Sequence, residues 1–106
     1  MTVVTLTKPD GTTEDVDLTF PFYMRLKEPM LFAGILTFDI RVEEHRATNV
    51  MTYDLNGNQM QVNSMLQDAG YYLSMYYYDP MYEPAPDSSL YDAAYAAALE
   101  RFAMTP

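Results

Sequence analysis

His45 is the one histidine of the chain, and fifteen Asp and Glu residues are the other side chains able to move protons near neutral pH. Paired carboxylates could do the acid and base work of a glycosidase. So many acids supply pairs by composition alone, so none is singled out. Nucleophilic catalysis would need a Ser or Thr beside a base, and the sole imidazole sits in the charged run Glu43-Glu44-His45-Arg46, which reads as a strand end or solvated turn. Without Cys or a second His, thiolate and imidazole metal sites are excluded, and only an oxygen-ligand cation site remains. Asp54-x-Asn56-x-Asn58 opens like an EF-hand loop, but Gly57 falls at the fourth place instead of the sixth, and Met65 stands where a bidentate Glu is required. Gly11, Gly34, Gly57 and Gly70 are isolated, so no phosphate-binding loop, dinucleotide fingerprint or nucleophile elbow is formed. The expectation is a protein that is not an enzyme and uses no cofactor.

What remains is charge. From Ala47 to Glu100 the chain holds seven carboxylates, Asp54, Asp68, Asp79, Glu83, Asp87, Asp92 and Glu100, and no Lys or Arg. Nine of the ten tyrosines lie there as well. The first 46 residues are poor donors of compensation, since Lys8, Arg25, Lys27, Arg41 and Arg46 face eight acids of their own. At a net charge of −9, the chain attracts cationic partners and repels nucleic acid and anionic membranes. An acidic surface also serves solubility alone, and that reading stands beside the first.

The elements that would position these groups follow from local pattern. A length of 106 residues fits one domain with one core. Thr2 to Thr7 and Thr13 to Phe20 alternate as two strands around Lys8-Pro9-Asp10-Gly11-Thr12, a type I turn signal. Val4, Leu6, Val16, Leu18 and Phe20 face inward, while Asp15 and Asp17 share the exposed face, about 7 Å apart. Between Pro21 and Pro29 the chain reads as irregular. A strand from Leu36 turns Phe38, Ile40 and Val42 inward and Asp39, Arg41 and Glu43 outward. Val50 to Leu55 and Asn58 to Val62 form a second hairpin about Asn56-Gly57, with Met51, Tyr53, Leu55, Met60 and Val62 on one face.

Ser64 and Gln67 have capping-box spacing and open a short helical turn that Gly70 closes. For Tyr71 to Tyr78, aromatic content favours a strand, although Leu66, Gly70, Leu73 and Tyr77 also recur at helical spacing. Three prolines make 79–86 an extended connector. Asp87 or Ser88 then caps a helix to about Ala103, whose stripe of Tyr91, Tyr95, Ala98, Leu99 and Phe102 docks on the sheet. The fold class is α+β: an antiparallel sheet of four to five strands, with two β-hairpins, and a C-terminal helix on one face.

Two functions compete. The first is an inhibitor or decoy that occupies the basic nucleic-acid-binding surface of a partner protein, such as a nucleic-acid-binding enzyme. Its contacts would be Asp54, Asp68, Asp79, Glu83, Asp87 and Asp92, with Tyr76, Tyr78 and Tyr82 between them. By charge and size the chain is similar to the DNA-mimic proteins that phages and mobile elements use against restriction or CRISPR systems, although no motif is shared. The second is a structural or assembly subunit, open to a homo-oligomer, joined through Tyr71 to Tyr82 with Met75, Met81 and Met104. No direct nucleic-acid or membrane contact is expected, and no secretory leader follows Met1, so the cytoplasm is the expected location.

Overall fold

The computed structural model describes residues 2–54 and 59–103. Local alternation around a tight turn builds the first unit: β1 (Thr2–Thr7) and β2 (Thr13–Leu18) pair antiparallel, with Gly11 at φ 88° closing the turn. Val4, Leu6 and Leu18 are buried and Val16 and Phe20 half-buried, as the alternation predicts. This hairpin forms its own two-stranded sheet.

The main sheet has five antiparallel strands in the order β6-β5-β4-β3-β7. These are β3 (Phe22–Leu26), β4 (Ile35–Val42), β5 (Ala47–Tyr53), β6 (Gln59–Met65) and β7 (Tyr82–Pro84). The chain between Pro21 and Pro29 is therefore a strand, not irregular. Both prolines stand outside its ends, so neither removes a ladder hydrogen bond, and Met24 and Leu26 alternate into the core. Similarly, the 79–86 connector contains β7, which pairs with β3 at its Tyr82–Pro84 segment.

Two layers cover the sheet. On one face lie the hairpin and helix α1 (Ala69–Tyr76); on the other lies helix α2 (Ser89–Ala103), across β4, β5 and β6. The α+β class and the C-terminal helix on one face are as the sequence predicts. Residues 71–76 are helix, not strand: Ala69, Tyr72 and Leu73 are buried and Tyr76 packs against them, the i, i+3, i+4, i+7 stripe of a helix. Ser64 belongs to β6, and Gly70 is the second residue of α1 instead of its terminator. A Cβ at Gly70 would lie 2.7 Å from the Thr5 carbonyl oxygen, so glycine permits α1 to approach β1.

The β5–β6 hairpin exists, but its register differs by one residue from the expected pairing. Val50 faces Val62 and Thr52 faces Met60, while Met51 and Tyr53 face Gln61 and Gln59. Helix α2 needs Val50, Met60 and Val62 on its side. The Asn56-Gly57 turn and Met104 lie outside the described residues. Asp39, expected outside, is buried at 9% exposure because the second face of β4 is covered by α2. Leu99 and Phe102, expected in the docked stripe, are 51% and 45% exposed.

Candidate functional site

The outward face of the hairpin and α1 layer combines carboxylates, hydroxyls and uncovered apolar side chains. Alternation in β1 and β2 sends Val3, Thr5 and Thr7 outward beside Asp17, Asp15 and Thr13. The Thr5 hydroxyl donates to Asp15 Oδ1 at 2.7 Å, fixing that carboxylate over β1. No ion pair among the described residues reaches Asp15 or Asp17, so their charge is free to act outward. At the hairpin tip, Asp10 accepts from the Thr12 hydroxyl and amide, which hold its pKa below the usual value.

Alongside β1 runs α1, close enough that the Ser74 hydroxyl accepts from the Thr7 N–H at 2.9 Å and donates to the Gly70 carbonyl at 2.6 Å. Between them lies an open groove of about 640 Å³ lined by Thr5, Thr7, Asp68, Gly70, Tyr71, Ser74 and Met75. Tyr71 at 67% and Met75 at 48% exposure stand uncovered in it, and Val3, 64% exposed, lines a neighbouring hollow that also reaches Thr5, Asp68 and Gly70. Asp68 closes one end, where its carboxylate meets His45 Nδ1 at 2.9 Å. That hydrogen bond raises the His45 pKa, with the charges of Asp68 and Glu44 adding to it.

The other acids and tyrosines of the sequence-based site are dispersed. Asp54, at φ 76°, follows β5 at the sheet end that also holds Asp79, whereas Asp68 lies at the opposite end. Asp79 Oδ1 accepts from the Met81 N–H. Glu83 on edge strand β7 is tied to Arg25 at 2.9 Å. Asp87 accepts from the Ser89 N–H at the start of α2; the Ser89 hydroxyl and then that N–H lower its pKa, and Asp92 is exposed in the first turn of that helix. Tyr76 and Tyr82 pack on each other, rings 5.0 Å apart, in the core beneath α1, and burial pushes the Tyr82 phenol up to about 12. Tyr78 is half-buried and donates to Glu14 Oε1 at 2.5 Å; partial burial and that carboxylate push its phenol up to about 12.

The structure thus brings Asp68 together with Tyr71 and Met75 in one groove, with Asp15 bonded to its lining residue Thr5 and Asp17 two residues further along β2. The pairing of Asp15 with Asp17 is visible in the strand alternation, and Tyr71 and Met75 belong to the Tyr and Met patch. The exposure of Val3 is signalled in sequence only by the double valine Val3-Val4, which must send one side chain outward. Among the described residues no group of His, Asp and Glu converges to hold a metal ion, and no helix is long and apolar enough to cross a membrane. Comparison with protein-family models, curated proteins and solved structures finds no match to this chain.

Proposed function

We propose that this protein acts by binding, not by chemistry, as a small acidic module whose hairpin and α1 face covers a basic surface of another protein. The surface it fits is one that otherwise holds nucleic acid. The observation that carries the proposal is the row of Asp15 and Asp17, without cationic partners among the described residues, one strand away from a groove lined by Tyr71 and Met75. Two carboxylates about 7 Å apart on one strand face are separated by a distance of the order of that between backbone phosphates. The amphipathic groove supplies contact area that a charge row alone lacks, and tyrosine and methionine are side chains that protein interfaces favour. The net charge of −9 favours fast approach to a cationic partner and discourages direct contact with nucleic acid.

The exposure of Tyr71 and Met75 also favours the second reading, an assembly subunit joined through apolar area. Salt separates the two. Partners captured from host lysate on the immobilised protein are identified, eluted over a salt gradient, and assayed for DNA binding with and without the protein. Under the decoy reading, capture weakens steeply with salt, the captured protein loses DNA binding competitively, and Asp15→Lys with Asp17→Lys lowers its affinity about a hundredfold. Capture that ignores both the salt and the double reversal refutes it. The companion reversal Asp87→Lys with Asp92→Lys, at the start of α2, then tells whether the acids of the second half contribute.

A further inference from the structure

Every edge strand presents unpaired backbone N–H and C=O groups that can template another chain, and folded proteins protect such edges with charge, proline, short length or a covering element. Among the described residues, three of the four sheet edges are protected. The β2 edge carries Glu14, Asp15 and Asp17; the β1 edge is covered by α1; and β7 is three residues long, with Glu83 and a proline. Strand β6 has none of these devices. Its seven residues, Gln59-Met60-Gln61-Val62-Asn63-Ser64-Met65, hold no charge and no proline, and pair with β5 without a register shift. Among the described residues no backbone group outside β5 pairs with it.

We propose that β6 pairs antiparallel with β6 of a second copy of this chain, centred on Val62, so that the two five-stranded sheets become one continuous sheet. Three observations select a second copy as the occupant. First, two copies that each carry a net charge of −9 must meet where carboxylates do not oppose one another. Pairing about Val62 sets Gln61 opposite the partner's Asn63, Met60 opposite the partner's Ser64 and Gln59 opposite the partner's Met65, all uncharged.

Second, helix α2 outruns the sheet at this edge. It begins over β3, where Tyr91 meets the Tyr23 ring at 5.7 Å, and then passes over β4, β5 and β6. Ala98 is fully buried with Val50, Met60 and Val62, yet Phe102, one turn further along the same stripe, is 45% exposed. A twofold axis normal to the sheet keeps the helices of both copies on one side, so Phe102 gains the partner's β6 beneath it.

Third, a line of hydrogen bonds on the other face ends at the β6 edge. Asn49 donates to the Tyr72 hydroxyl at 3.2 Å, Asn63 to Asn49 at 3.2 Å, and Gln61 to Asn63 at 3.1 Å. Exposed Gln61 retains a carbonyl oxygen to accept from the partner's Asn63. The pairing uses no residue of the groove beside α1 and does not depend on the binding function proposed for it.

Sedimentation equilibrium of the purified chain tests the pairing. The expected result is a dimer at tens of micromolar, and Gln59→Lys with Gln61→Lys, which places two like charges on the edge of each copy, raises the dissociation constant at least about tenfold with unchanged far-UV dichroism. The chain has no cysteine, so Val62→Cys offers an independent probe: oxidation should link two copies through that position, whereas Asp17→Cys on the hairpin should not. A wild-type chain that stays monomeric up to about millimolar concentration overturns the proposal. So does a dimer whose dissociation constant moves less than tenfold in the double lysine variant, because its contact then lies elsewhere.

Discussion

Among the described residues, the layer of hairpin, α1 and sheet face buries twelve hydrophobic residues, with Leu6, Ile40, Val42 and Leu73 completely enclosed, whereas the α2 layer buries three, Val50, Tyr91 and Ala98. The first face is sealed by large side chains from two elements. The second is covered by one Ala-rich helix whose contact is mostly small or aromatic. Apolar area removed from water is the main favourable term in folding, so most of the stability resides on the hairpin side. Helix α2 is therefore expected to open most easily, and the candidate binding face to open least.

The largest effect should come from breaking the thick side. Tyr72 is 1% exposed, its ring lies 5.1 Å from that of Tyr76, and its hydroxyl accepts the Asn49 amide. Tyr72→Ala should cost about 3–5 kcal/mol in urea unfolding, a large fraction of the roughly 5–15 kcal/mol that holds an ordinary domain folded. Tyr91→Ala removes a comparable ring from the thin side, where it meets Tyr23 and Tyr95. It should cost about 2 kcal/mol, and hydrogen exchange should speed up in α2 while the strands keep their protection. Equal and global effects of the two substitutions would remove the distinction between the faces.

A smaller effect sharpens the same contrast. In an exposed helix, Gly→Ala stabilises by about 1 kcal/mol. Gly70→Ala should instead destabilise by about 1–3 kcal/mol, because the new methyl meets the Thr5 carbonyl oxygen and must push α1 away from β1. Thermal melts give the sign directly, and a stabilised variant would mean that the close approach is not enforced.

These contrasts also mark what the chain discloses before it is folded. The first hairpin is legible because everything that makes it is local: the Pro-Asp-Gly turn and the alternation of Val4 and Leu6 with Val16 and Leu18. The start of α2 is legible for the same reason: Asp87 and Ser88 precede an Ala-rich run, the Ser88 carbonyl oxygen accepts the Asp92 N–H and Asp87 Oδ1 accepts from the Ser89 N–H. Gly70 is not, since its purpose is the approach of a strand more than sixty residues earlier in the chain, and local rules read it as a terminator. Tyr72 and Tyr76 carry strand-forming side chains that tertiary packing places on a helix. The β5–β6 register escapes because both faces of β5 are covered, which leaves no wet side for alternation to reveal. For the candidate site, Asp15 and Asp17 can be placed on one face from sequence. That Tyr71 and Met75 lie across β1 from them follows only from α1 lying on β1, while the tyrosine-rich stretch sends Tyr72, Tyr76 and Tyr82 into the core.

The smallest expected effect tests the thin face through its charge. Asp39 points from β4 toward the α2 side, where Arg25 and Arg41 are the neighbouring cations on the same sheet face. Burial raises its pKa, and the charge of Arg25 only partly opposes the shift. A carboxyl with a folded pKa above its unfolded value binds more protons in the native state, so stability falls as pH rises through the folded pKa and is flat above it. Asp39→Asn removes that dependence. The variant should therefore be more stable than the parent at pH 7, and the gap should close as pH falls below the unfolded value near 3.8. Urea titrations of both proteins at several pH values check this. A variant less stable at pH 7 would show that Arg25 gains more from the Asp39 charge than burial costs, and that the α2 face is held by electrostatics to a degree its few apolar contacts do not suggest.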